Sequence, residues 1–165
     1  MLTSDEREQF AYQVMNDVRR WSGVEMKPHP SPDRPGEQDG VEFRLAGRQI
    51  GHMHDDCAVH LSLTRALKQS VVAEGLAEPL STSPDSGWIM FHPIVANDVH
   101  RAIWLLRLNY VRFRRQRLTL EASASSLLLQ EHEAALETVS AGVATVLRKT
   151  QRRLTPRPLP EMPAS

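Results

Sequence analysis

At Val41 the hydrophobic period of this chain changes from that of a helix to that of a strand, and only a fold containing both elements can absorb the change. Before that point Phe10, Val14, Val18 and Trp21 recur at helical spacing, and Thr3 with Glu6 has the form of a capping box. Gly23 follows as a stop, and Phe10 and Trp21 read as core residues. After it, Val41, Phe43 and Leu45 alternate with Glu42 and Arg44, the pattern of a half-buried strand. Ala46-Gly47 makes a hairpin turn, and Arg48 to His54 a return strand. Residues 58–63 (AVHLSL) alternate again, either as a third strand or as a continuation of the second after a bend at Asp55-Asp56.

The remaining segments follow the same two periods. Residues 64–75 have the composition of a helix, with Thr64 or Ser62 as cap and Gly75 as terminator, and residues 86–94 read as a short apolar strand closed by Pro93. Asn97 is placed to cap a long helix with Val99, Ile103, Leu106, Tyr110 and Phe113 on one stripe. Six arginines lie on it between Arg101 and Arg117, with no acid among them. A last helix is expected over 119–149. In it Leu129, Leu136 and Val143 repeat every seven residues, as do His132, Val139 and Val146. That seam either packs back on the core or pairs with a second copy to give a homodimer. Eight of the 11 prolines fall in two stretches, 28–35 and 156–163, so residues 23–39 read as a loop and the end of the chain as a frayed tail. The expected class is α+β: a small antiparallel sheet with a hairpin, helices on one face, and a C-terminal helical extension. Its parts are a domain over 1–118, a helix over 119–150 and a flexible tail over 151–165.

Composition excludes several classes. With 20 basic and 20 acidic side chains in 165 residues, the chain is neither a strongly basic nucleic-acid binder nor an acidic disordered one. One cysteine, Cys57, leaves no internal disulfide framework. No apolar run approaches the roughly 18–20 residues of a membrane helix, and the first ten residues are acidic where a signal peptide is basic and then apolar. A cytoplasmic location is expected.

Chemistry concentrates in His52-Met53-His54-Asp55-Asp56-Cys57-Ala58-Val59-His60. On a strand, alternate side chains share a face, so His52 and His54 point the same way. A third group can come from Asp56 or His60 across the bend, or from His92 on the later strand. Two imidazoles and a carboxylate suit a first-row metal and equally suit general-base chemistry. They are also compatible with a plain solvated strand face. Cys57 beside His60 could act as a nucleophile, although isolated cysteines usually serve as small buried hydrophobes.

The string from Arg48 to Asp55, followed by Asp56-Cys57 and His60-Leu61-Ser62-Leu63, resembles the core of the fungal luciferase family and of bacterial proteins that share this luciferase domain. The resemblance continues through Glu74-Gly75, the segment from Pro84 to Trp88 and the helix around Arg107-Leu108-Asn109-Tyr110, covering about residues 41–113. The fungal enzymes have a slightly longer connection between the positions matching Asp55 and Asp56. The resemblance implies an oxygenase without an organic or metal cofactor, oxidising an enolic pyrone with molecular oxygen through a cyclic peroxide that loses carbon dioxide. It implies His52 or His54 as base, Asp55 or Asp56 orienting the ring, and His60 beside them. Trp88, His92 and Cys57 would then contact the substrate. On this reading His29 and His132 lie outside the site.

The alternative is a non-enzymatic module. The order of helix, hairpin, helix, strand and helix also resembles small YjbR/MmcQ-type domains, which resemble DNA-binding wings and are often not enzymes, and this implies a small-ligand or nucleic-acid binding module. The arginines of 101–117 would then face phosphates. They surround their helix instead of keeping to one face, which favours a solvated surface.

Overall fold

The computed structural model describes residues 1–118 and 126–152. The Thr3 hydroxyl accepts from the Glu6 N–H and the Glu6 carboxylate accepts from the Thr3 N–H, so the expected capping box starts α1 (Ser4–Val18). Six strands follow, β1 (Val24–Pro30), β2 (Gln38–Leu45), β3 (Arg48–Met53), β4 (Val59–Ser62), β5 (Glu78–Pro79) and β6 (Trp88–Phe91). They form one antiparallel sheet in the order β1-β2-β3-β4-β6-β5. Between β4 and β5 lies α2 (Arg65–Ala73), capped by the Thr64 hydroxyl. The described residues continue with α3 (Val99–Leu118), α4 (Ser126–Glu137) and α5 (Ala141–Arg152). The α+β class and the hairpin are as expected, with Ala46 and Gly47 both at positive φ in the turn.

Alternation decides which side of the sheet the helices cover. A Cβ on Gly51 would lie 2.7 Å from Leu106 of α3, so this side of β3 faces helix. Phe43, Leu45, Val59, Leu61, Ile89 and Phe91 share that side and are buried. The helices form one layer over it. Helix α3 crosses β3 and β4 and touches α1, α4 and α5, and α5 touches α2. Asn109, wholly buried on α3, donates to the carbonyls of Ile50 (2.8 Å) and Ser62 (2.9 Å), and so ties the helix to β3 and to the end of β4.

Three readings from the sequence are corrected. The proline-rich segment is largely strand: residues 24–30 form β1, with Pro28 opposite Val41 and Pro30 opposite Gln38. An edge strand tolerates proline because its outer N–H groups have no ladder partner to lose. The helix expected over 119–149 is divided at 138–140 into α4 and α5, while residues 119–125 and the tail from 153 lie outside the described residues. Leu129, Leu136 and Val143 of the heptad seam are buried in the chain's own core, and Trp104 Nε1 donates to the Leu136 carbonyl. Third, Asn97 sits within a 3-10 turn (Ala96–Asp98), and it is the Asp98 carboxylate that accepts the N–H groups of Ile94 and Val95. Two of the arginines on α3 serve the helical layer: Arg107 lies 3.5 Å from Asp17 of α1, and Arg115 pairs with Glu133 of α4. Among the described residues no helix is long and apolar enough to cross a membrane.

Candidate functional site

The sheet face turned away from the helices gathers the histidines. His52, next along β3 from the helix-facing Gly51, projects to that face. Its cross-strand partners are Glu42 on β2 and His60 on β4. His54 follows just beyond the end of β3, with its ring 4.9 Å from that of His52 and 4.6 Å from that of His60. The fourth imidazole is His29. Its strand carries an irregularity between Pro28 and Pro30, and such a bulge re-aims the side chain within it. The His29 ring stacks on His52 at 3.9 Å, with 11° between the planes. Trp88 on β6 lies 5.7 Å from His52. Only 7% of His52 remains exposed.

Each ring is oriented by a polar neighbour. Asp39 Oδ2 lies 2.7 Å from His54 Nδ1, and Asp39 Oδ1 accepts the Asp55 N–H. Gly40 makes this reach possible: a Cβ there would sit 1.9 Å from the Met53 carbonyl oxygen, and its φ of +92° favours glycine. Glu42 meets His29 Nδ1 at 3.1 Å and is itself paired with Arg44. The Gln49 amide lies 2.9 Å from His52 Nδ1, and His54 Nε2 lies 3.2 Å from His60 Nδ1.

The electrostatics follow from crowding. Burial, then the imidazoles of His29, His54 and His60, push the His52 pKa down to about 3 against the pull of Asp39. Burial, then His54 and His92, lower that of His60 to about 4. Burial opposes ionisation of Asp39, but its hydrogen bonds from His54 and the Asp55 N–H prevail and hold it below the usual carboxylate range. At neutral pH His52 and His60 are therefore neutral, with ring nitrogens available as proton acceptors or metal ligands. One ring nitrogen from each of His29, His52 and His54 falls within 4.8 Å of the others, the spacing of a three-histidine metal group.

The structure brings together His52, His54 and His60, with Trp88 at their side. The other residues singled out from the sequence make no side-chain hydrogen bond to these rings, although His92 and Asp56 act on the His60 pKa and Asp55 and Asp56 line the cleft that reaches His54. Asp55 and Asp56 are exposed in the turn between β3 and β4, where Asp56 Oδ1 accepts the Ala58 N–H. The carboxylate that meets the His54 ring is Asp39. Cys57, at φ +72°, is buried on the helix side with its thiol against the Arg7 carbonyl, and burial raises its pKa. That keeps it a thiol, away from the imidazoles. His92 is exposed and lines a cleft of about 350 Å³ with Met1, Arg7 and Ile94. A larger cleft of about 600 Å³, between α1 and the ends of β2 and β3, reaches His54.

Sequence reasoning missed His29, Asp39, Glu42 and Gln49. Glu42 carried a signal, since period-two alternation sets it opposite the Val41–Phe43–Leu45 face. His29 carried none, because flanking prolines disguised its strand.

The fold and site define an α+β domain with a histidine-lined sheet face opposite its helical layer. Residues 47–109 match the family model described as Luciferase domain, so this part of the chain is a luciferase-like domain. None of the curated proteins and none of the solved structures compared with the chain matches it. The matched stretch runs from the β2–β3 turn to Asn109 and includes His52, His54, His60 and Trp88. His29, Asp39 and Glu42 lie before it.

Proposed function

We propose that this chain is an oxygenase that uses molecular oxygen on a small, planar, enolisable aromatic of the hydroxypyrone type, with imidazole as the acid–base group. The observation that carries the reading is the convergence of imidazoles on one sheet face beside Trp88, within the luciferase-like segment. An imidazole of the His52, His54 and His60 group accepts the enol proton, leaving an electron-rich enolate. The enolate carbon forms a bond to O2, two electrons pass from substrate to oxygen, and the peroxide oxygen regains the proton from imidazolium. Atoms and charge balance without a further reductant. Asp39 holds the His54 ring in orientation, and Trp88 offers a flat apolar wall to the substrate ring.

The experiment is oxygen uptake by the purified chain in the presence of hydroxypyrones and related polyphenols, with binding followed by mass spectrometry. Uptake that depends on substrate and on His54 supports the reading. Absence of both binding and uptake across the panel returns the histidine face to a structural role.

A further inference from the structure

We propose that His29, His52 and His54 together hold a first-row divalent cation on the open face of the sheet. This rests on reading that face as the functional site, and it adds a cofactor to it. The sequence suggested His52 and His54 with a third group from Asp56, His60 or His92, and did not point to His29, which stands on an edge strand that the prolines concealed.

The geometry has the two parts that a metal site requires. The first is a set of ligand atoms of the right kind at the right separation. A tetrahedral cation with metal–nitrogen bonds of about 2.0–2.1 Å asks for nitrogens about 3.4 Å apart. The three imidazole nitrogens lie within 4.8 Å of one another, and cation binding requires the His29 and His52 rings, now stacked at 11°, to turn out of parallel so that their in-plane lone pairs converge. The second part is an outer set of groups that orient the ligands. His54 Nδ1 is engaged by Asp39 and His29 Nδ1 by Glu42, which leaves Nε2 as the ligating nitrogen of each ring, and on His54 a cation would replace the 3.2 Å contact of Nε2 with His60 Nδ1. Carboxylate–histidine pairs of this kind fix the tautomer and raise the basicity of the ligating nitrogen. Imidazole donors suit zinc, iron, cobalt, nickel and copper better than calcium or magnesium.

The surroundings supply a second argument. Four imidazole rings crowd one patch of the sheet face, with neighbouring centroids 3.9–5.3 Å apart. A single cation shared by three of them satisfies their lone pairs with one charge centre, and Asp39 and Glu42 offset that charge. Three protein nitrogens leave at least one coordination position for water or an anionic oxygen, a class that includes the enolate oxygen of the substrate proposed above.

The test uses the full chain, expressed without a histidine tag and stripped with a chelator. Zinc is titrated by calorimetry and by melting temperature, and cobalt by its visible absorption. The expected result is one equivalent of zinc, a higher melting temperature with bound metal, and cobalt bands typical of low coordination number. His29→Ala, at the sheet edge, should keep the circular dichroism of the wild type, weaken zinc binding by more than about 100-fold and abolish the cobalt bands. Asp39→Asn should weaken binding by about 10–100-fold. Binding that fails to saturate at one equivalent, or that is the same in wild type, His29→Ala and His54→Ala, overturns the inference. Oxygen uptake is read separately. Its absence from protein that holds one equivalent counts against the oxygenase and leaves the cation site standing, while uptake by protein that binds no cation does the reverse.

Discussion

Two places in this molecule hold histidines with strongly lowered pKa values, and they are built on opposite principles. On the open face, His52 is pressed by burial and by other imidazoles, each with a polar neighbour at hydrogen-bond distance. On the covered face, His132 of α4 stands alone in an aromatic niche, 5.4 Å from the Trp21 ring and 4.8 Å from that of Tyr110. Burial, then the Arg107 guanidinium, lower its pKa to about 4 against the pull of Asp17. A lowered histidine pKa is thus no mark of a site by itself. What separates the two is the company: convergent ring nitrogens with orienting carboxylates in one place, ring edges and faces that hold a helix in the other.

The sharpest way to break that comparison is by rate. His52→Ala or His54→Ala should lower oxygen uptake by roughly two to four orders of magnitude, as expected for removal of an acid–base group. His132→Ala should leave the rate per folded molecule near that of wild type. Equal losses at the two places would erase the distinction.

Next in size is the backbone beneath the open face. Gly40→Ala introduces a Cβ 1.9 Å from a backbone oxygen at a φ of +92°, and should cost about 2–4 kcal/mol. The strain falls on the Asp39–His54 contact, so chemical shifts of the His54 ring should move more than those of His132. Asn109→Ala acts from the covered side. It deprives the Ile50 and Ser62 carbonyls of their side-chain donor and should cost about 1–3 kcal/mol in denaturant unfolding. A loss below about 0.5 kcal/mol would mean that α3 does not pin these strands.

The smallest effect tests the covered histidine through pH. His132 has an ordinary value of 6.5 and a folded-state value of about 4. As pH falls below about 6.5 the unfolded chain takes up a proton that the folded chain refuses, so stability is lost between about 6.5 and about 4. Allowing for partial solvation of the ring, the loss amounts to on the order of 1–2 kcal/mol. Titration of His52 and His60 acts in the same direction, so the informative quantity is a difference. With Arg107, Arg114 and Asp17 still facing the niche, His132→Gln should lose less stability than wild type over this window. Parallel curves for the two proteins would place the proton uptake elsewhere.

Much of this was legible in the residues themselves. Helical spacing located α1 and its cap. Alternation located β2, β3 and β4, and predicted that His52 and His54 share a face. The luciferase-like segment was recognisable from the same short strand. What escaped were contacts whose signal is not periodic. Prolines read as loop because their missing N–H argues against strands in general, whereas an outer edge of a sheet is where that loss is harmless. A run of apolar heptads read as one helix, but apolar spacing is blind to a break at 138–140 that lets both halves turn onto the same core.

The sequence by itself determined which residues lie on which face, because side-chain direction along a strand or helix follows from backbone geometry one residue at a time. It thereby determined that His52 and His54 share a face, while the side of the sheet on which that face lies came from the structure. Only the tertiary structure decided which carboxylate meets His54 and which further ring meets His52. Asp39 lies 15 residues before His54, and His29 lies 23 before His52 on another strand. Their arrival depends on sheet register, on a bulge between two prolines and on the close approach that Gly40 allows, and such long-range pairings are written in packing, not in period.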